Sequence, residues 1–278
     1  MQRVNRYGVR SLERDFPTEE ACLNFLFDAQ HSRQCSCGGT YKLRAGRKQF
    51  QCSKCRFHIA PTAGTIFHKS DTPLTLWFKA ILAFSNAKSS ISAAELERQL
   101  EVTYKCAWRI LNRIRKALAQ DNKKLEGIVE MDTGFFGGRG TKQQVVDKTI
   151  VMAAIARGGK ARASVVESTG GGIHRDFLKA NVEQGSILMT DRVRVAMPGY
   201  ERHSVEHSKA EYVRGPFHVN TVESFFGHIK RSIKGTHKVV SKKYLQNYLD
   251  AFVFHYNNRY SDKERFGVLL GAVLHGAR

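Results

Sequence analysis

The chain has 278 residues, room for one or two domains of about 150 residues with a small module added. Apolar residues make up 42% and aromatic residues 10%, which excludes a chain disordered throughout. Lys and Arg number 45 against 25 acids, a net charge of +20, so the expected partner is a polyanion, nucleic acid before an anionic membrane.

Pro17-Thr18-Glu19-Glu20 opens like a helix cap, and Phe25, Leu26 and Ala29 follow at helical spacing, which predicts a short helix over 17–30. Residues 31–60 are basic and cysteine-rich, as small strands around a metal would be. Helices are expected over Thr72–Phe84, Ser92–Leu100 and Thr103–Leu118. The polar run Asp121-Asn122-Lys123-Lys124 is the best domain boundary. Beyond it, strands are expected at Ile128–Phe136, Lys148–Arg157, Arg162–Ser168 and Ile187–Thr190, with a helix at Arg175–Val182. Gly137-Gly138 and Gly158-Gly159 read as turns, and two helices, about 220–234 and 241–258, close the pattern. A mixed sheet with helices packed on it suits that order. Lys79 interrupts the best apolar run, Leu74 to Phe84, and Met1 to Asn5 lead into no apolar stretch. Neither a membrane span nor a signal peptide is expected, and the expected location is the cytoplasm, at the nucleoid.

Cys35-Ser36-Cys37 and Cys52-Ser53-Lys54-Cys55 have the paired spacing of a zinc ribbon, in which four thiolates close a tetrahedral structural Zn²⁺ site. The first pair has one intervening residue where two are usual, so His31 and His58 stand as alternative ligands, and free thiols in a basic module are the bland reading. Cys22 and Cys106 fall in helical patterns and read as buried hydrophobes. The Thr103–Leu118 helix carries Lys105, Arg109, Arg113, Arg115 and Lys116 without an acid. With the helix before it, this forms a helix-turn-helix that would place Lys105, Arg109 and Arg113 on DNA; the competing reading is a plain bundle with a solvated basic face.

Asp132 and Asp191 each lie in or at the end of a strand-like run, and a lone Asp there is more often a turn former. Glu223 lies beside the apolar stripe Val222, Phe225, Phe226, Ile229 and Ile233. Asn220-Thr221-Val222-Glu223 is also a capping-box pattern, which would account for the glutamate without any chemistry. Acids on a first strand, on a fourth strand and on a later helix can converge at one sheet edge. Three carboxylates so placed can hold two Mg²⁺ or Mn²⁺ ions for chemistry on a phosphodiester. Lys230, Arg231, Lys234, Lys238, Lys242 and Lys243 run without an acid, as a phosphate track would. His203, His207 and His218 flank the interval between Asp191 and Glu223, either ordering one of those carboxylates or serving as packing and surface residues.

From about residue 15 to 270 the chain resembles the bacterial insertion-sequence transposases that join an N-terminal zinc ribbon to a DDE-type, RNase H-like catalytic domain. The resemblance is carried by Cys52-x-x-Cys55 with Thr62-Ala63-Gly64-Thr65-Ile66-Phe67, by Thr103 to Arg109, and by Val129-Glu130-Met131-Asp132 with Gly137-Gly138. Thr190-Asp191, His218 to Phe226, Lys230-Arg231 and Phe254 to Arg259 complete it. It implies an α+β multidomain chain: an N-terminal helix and zinc ribbon over 1–70, a helix-turn-helix over 71–124, and a mixed five-stranded RNase H-like sheet with helices over 125–278. It implies Asp132, Asp191 and Glu223 as ligands of two Mg²⁺ or Mn²⁺ ions, and Lys230 against DNA, where the cation run itself would add Arg231 and Lys234. The implied reaction cuts transposon ends and joins the freed 3′-OH to target DNA by in-line displacement, on double-stranded DNA and in a homodimer or higher oligomer. The chain departs from the family at Thr133, where an acid is usual, in the Cys35-x-Cys37 gap, at Ala251 and at His255. The alternative is a non-catalytic DNA-binding protein, either a regulator or an inactive remnant. A nuclease that only hydrolyses would share the triad.

Overall fold

A computed structural model describes residues 6–88, 90–121, 123–137, 148–191, 196–205 and 218–275. The chain forms two compact units, residues 1–119 with 258–278, and residues 120–257.

In the first unit, α1 (Val9–Asp15) and α2 (Glu19–Asp28) precede a three-stranded antiparallel sheet. That sheet is β1 (Tyr41–Leu43), β2 (Phe50–Cys52) and β3 (His58–Ile59). Then come α3 (Leu74–Asn86), α4 (Ala93–Leu100) and α5 (Tyr104–Ala117). The helix starts follow their caps: the side chains of Thr18, Ser92 and Thr103 each accept a backbone N–H three residues on. Between α4 and α5 the chain turns at Glu101, which takes a left-handed conformation with φ 53°. Trp77, Phe78, Ile81 and Phe84 of α3 are fully buried, as are Ile110 and Leu111 of α5.

The last helix, α9 (Asp262–His275), belongs to this same unit, where it packs on α3. Phe266, Leu269, Leu270 and Val273 form its buried stripe, Phe266 stacks on Tyr7 at 4.5 Å, and Arg265 donates to the Ser85 carbonyl at 3.1 Å. Two closing helices were expected, and α9 is a third. Its stripe has the i, i+3, i+4, i+7 period of a helix, but Gly267 and Gly271 interrupt the pattern in sequence. Helix α1 was also not anticipated, since its cap residue is Gly8 and offers no side chain.

The second unit is built on a five-stranded sheet in the order β6-β5-β4-β7-β8. Its strands are β4 (Ile128–Phe136), β5 (Thr149–Ala156), β6 (Ala161–Val166), β7 (Ile187–Asp191) and β8 (Glu201–Val205). β4, β5 and β6 pair antiparallel, and β4, β7 and β8 pair parallel. The expected mixed five-stranded sheet is therefore present. β8 is the strand that the sequence pattern missed, because Glu-Arg-His-Ser-Val at a sheet edge has no apolar run.

Helix α6 (Gly171–Asn181) covers one face, with Phe177 and Leu178 against Val129, Met131, Met152 and Leu188. On the other face α7 (Asn220–Ser232) and α8 (Lys242–Asn257) bury Val222, Phe225, Phe226, Ile229, Leu249 and Val253. The segment Ile233–His237 continues α7 as a π-helical turn, so the helix expected over 220–234 changes its hydrogen-bond register near its end. Asp250 on α8 is buried and accepts from Gln120 Nε2 at 2.8 Å and Gln246 Nε2 at 2.9 Å.

Candidate functional sites

The four cysteines of the small module come together. Their sulfurs all lie within 4.8 Å of one another, with Cys35–Cys55 at 3.7 Å and Cys37–Cys52 at 3.4 Å. Sulfurs at the corners of a tetrahedron with metal–sulfur bonds near 2.3 Å are spaced about this far apart, so the quartet fits Zn²⁺. The short first pair is accommodated by its backbone: Cys35 N donates to the Gly39 carbonyl at 2.8 Å, and Gly38 takes φ 73°. A Cβ at Gly39 would stand 2.6 Å from the Cys52 sulfur, so only glycine lets the chain approach the cluster there. Neither His31 nor His58 belongs to the group. The Cys35 thiol is pulled down to about 6, first by the Tyr41 hydroxyl and then by the Cys37 backbone amide, which favours the thiolate a metal needs. Cys22 is fully buried on α2 and burial pushes its thiol up to about 12, as expected of an inert core thiol. Cys106 is only half-buried, with its sulfur 3.4 Å from the Thr72 hydroxyl.

On α5, Lys105 is exposed, whereas two of the expected DNA contacts are engaged within the unit. Arg109 donates to the Thr72 hydroxyl at 2.8 Å, and Arg113 donates to the carbonyls of Ile66 at 2.7 Å and His68 at 2.9 Å.

In the second unit, the last registered pair of β4 and β7 is Met131 with Thr190, and the next residue on each strand is Asp132 and Asp191. Strand alternation puts both on the face that α7 covers, together with Ile128, Phe136, Ile187 and Met189. Asp132 Oδ1 accepts the Thr133 amide at 2.7 Å. Glu223 lies in the first turn of α7, exposed beside the buried Val222, Phe225 and Phe226. Among the described residues, the cysteine quartet is the one set of three or more such ligands closing within 4.8 Å. Asp132 and Asp191 share a sheet face, Glu223 lies on the helix that covers it, and the three do not close to that spacing. All three offer hard oxygen donors, the chemistry suited to Mg²⁺ or Mn²⁺.

Another acid on this sheet face was not singled out from the sequence. Glu130, two residues before Asp132, is fully buried and takes the α7 N-terminus. Its carboxylate accepts the Thr221 amide at 2.7 Å, the Thr221 hydroxyl at 2.9 Å and the Val222 amide at 3.2 Å. Arg157 Nε donates to it at 2.9 Å while Arg157 Nη2 donates to the His218 carbonyl at 3.0 Å. His218 Nδ1 lies 3.3 Å from the same carboxylate. The local capping box read at Asn220 to Glu223 is therefore corrected: the cap residue is Val219, which has no side-chain capping bond, and the acid comes from a strand. The one available signal was an acid at a core-facing position of β4, which needs buried partners. His203 Nε2 lies 2.8 Å from Glu201, and His207 falls outside the described residues.

Lys230, Arg231, Lys234, Lys238, Lys242 and Lys243 are all exposed, along α7, the π-helical turn and the start of α8. Lys230 places its ammonium 5.6 Å from the centre of the Phe136 ring, at the end of the strand that carries Asp132.

Comparison with known proteins adds two findings. Residues 124–257 match the family described as the ISXO2-like transposase domain. The chain is 30% identical over 231 residues to a protein of Halobacterium salinarum described as an uncharacterized protein in transposable element ISH50. The alignment covers 74% of this chain and 77% of that protein. This chain belongs to the insertion-sequence transposases. The matched domain spans nearly the whole second unit, and so holds Asp132, Asp191, Glu223 and the cation run of this transposase. Among the described residues no helix is long and apolar enough to cross a membrane.

Proposed function

We propose that this transposase is a DDE-type enzyme with an RNase H-like catalytic unit, which cuts insertion-sequence ends and joins the freed 3′-OH to target DNA. The observation that carries this reading is the register of β4 and β7, which sets Asp132 beside Asp191 under the helix that bears Glu223. A pair of Mg²⁺ or Mn²⁺ ions, when bound by these three carboxylates, would activate the attacking hydroxyl and stabilise the leaving 3′-oxygen. Asp132 and Asp191 hold from the sheet side and Glu223 from the helix side. Lys230 and Arg231, with Lys234 beyond them, take backbone phosphates next to the carboxylates and orient the scissile bond. The exposed Lys105 contributes to DNA contact by α4 and α5 acting as a helix-turn-helix, to which Arg109 and Arg113 contribute by fixing α5 on its own unit. The cysteine quartet holds a structural zinc and takes no part in the chemistry. Two ends must be cut together, so the working form is a homodimer or larger.

The test incubates the chain with labelled DNA flanking its own gene, a target plasmid and Mg²⁺ or Mn²⁺, beside Asp132→Ala and Glu223→Ala. Metal-dependent cleaved and joined products that vanish in both variants are expected. Tight binding of the flanking DNA with no cleavage in either metal would instead mark a non-catalytic DNA-binding protein, with Thr133 the first residue to restore to an acid. Cleavage without joined products would mark a nuclease.

A further inference from the structure

Helix α7 starts without a cap of its own, and its first turn is held by a side chain from the sheet. Asn220 is already helical, and the preceding Val219 is apolar and fully buried. The orphan amides of that turn would be costly to bury unpaired. Glu130 satisfies two of them, and its negative charge sits at the positive end of the helix dipole. Both carboxylate oxygens are occupied: Oε1 receives Arg157 and the Thr221 hydroxyl, and Oε2 receives the Thr221 and Val222 amides. Arg157 also grips the His218 carbonyl, so one arginine ties the chain entering α7 to the glutamate that caps it. A buried ion pair of this kind is weak as a source of stability but strict in geometry.

The bonds occupy the residues just before Glu223 on the helix and the position two before Asp132 on the strand. Glu130 and Asp132 point from β4 to the same face. A shift in the Glu130 cap therefore displaces Glu223 relative to Asp132.

We propose that Glu130, held by Arg157, is the positioning residue of the carboxylate site: it couples the placement of Glu223 to the strand that carries Asp132, so that divalent-metal affinity depends on a carboxylate that does not touch the metal. This rests on the reading of Asp132, Asp191 and Glu223 given above. Partners that orient metal ligands from outside typically change metal affinity by about 10- to 100-fold when removed.

The experiment titrates Mn²⁺ into the full zinc-loaded chain by calorimetry, for wild type, Asp132→Asn, Glu130→Gln and Thr221→Val, with amide hydrogen exchange followed on Thr221 and Val222. Glu130→Gln turns an N–H donor toward helix amides that need an acceptor. It is expected to speed exchange at both amides and to weaken Mn²⁺ binding about tenfold, leaving binding measurable. Asp132→Asn is expected to remove binding while exchange at the two amides stays slow. Thr221→Val keeps the Glu130 charge and loses one contact, so a smaller drop in the same direction is expected; it carries the test if Glu130→Gln does not fold. Faster exchange with unchanged Mn²⁺ affinity would make Glu130 a helix cap only and overturn the proposal. Loss of binding in Glu130→Gln as complete as in Asp132→Asn would make it a ligand, which also overturns it. If wild type itself shows no Asp132-dependent Mn²⁺ binding, the reading of the triad fails first, and the coupling falls with it.

Discussion

Gly134 on β4 lies against the ring of Phe226 on α7: a Cβ at residue 134 would stand 2.8 Å from the ring carbons Cδ1 and Cε1. Glu130 holds the start of the same helix from the same strand, so β4 grips α7 at two points, four residues apart on the strand. Asp132 lies between them on β4, and Glu223 lies between Val222 and Phe226 on α7. The strand thus sets both the axial position of the helix and its distance from the sheet.

Gly134→Ala should therefore lower the stability of the second unit by about 1–3 kcal/mol through overpacking. Metal-dependent cleavage should fall with it, since the helix that carries Glu223 must move. A thermal melt beside the cleavage assay checks this. An unchanged melting temperature would mean that Phe226 turns aside at little cost.

Zinc should be present at one ion per chain by atomic absorption and should be lost in Cys52→Ser. Cys52 ends β2, on which Phe50 stacks with Phe27 at 4.1 Å, so losing the metal should loosen the module and expose residues 30–60 to protease. The Cys22→Ser variant is the control: it should keep its zinc.

Lys230→Ala and Arg231→Ala should each weaken DNA binding uniformly across sequences. Each should also reduce the slope of log K against log salt by about one, as expected for loss of one phosphate contact. Arg113→Ala should act differently. It removes bonds to the Ile66 and His68 carbonyls, so its main effect is expected on the stability of the first unit, with the salt slope retained. Fluorescence anisotropy over a salt series separates the two.

Asp250→Asn should stabilise the second unit at neutral pH. Burial raises the Asp250 carboxyl above its usual value, so the protonated form is the one the fold favours. Stability from this group is complete below the unfolded carboxyl value, about 4, and is lost as pH rises through the higher folded value. Asparagine keeps an acceptor for Gln120 and Gln246 without a charge to bury. The melting-temperature gain of the variant should grow as pH is raised from 4 to 7; a gain independent of pH would refute the cause.

The residues themselves determined much of this protein. Cysteine spacing announced the four-thiol cluster, the helices expected from Ser92 and Thr103 matched α4 and α5 within a residue, the one expected over 17–30 ran two residues past α2 at each end, and apolar runs marked β4, β5 and β7. These signals are local: a cap reaches three residues, and a buried strand shows its burial in its own composition. Other features depend on partners far along the chain. The polar edge strand β8 has no local pattern. Nor does Arg113 in a basic helix reveal that its guanidinium is held by Ile66 and His68. Glu130 shows the same limit most clearly. Two residues before Asp132 in sequence it is one more acid, and Asn220 to Glu223 looked able to cap its own helix. Only the tertiary structure, by laying α7 across β4, decided that the cap comes from residue 130. Burying a helix terminus requires every orphan amide to find a partner, and that partner need not be nearby in the chain.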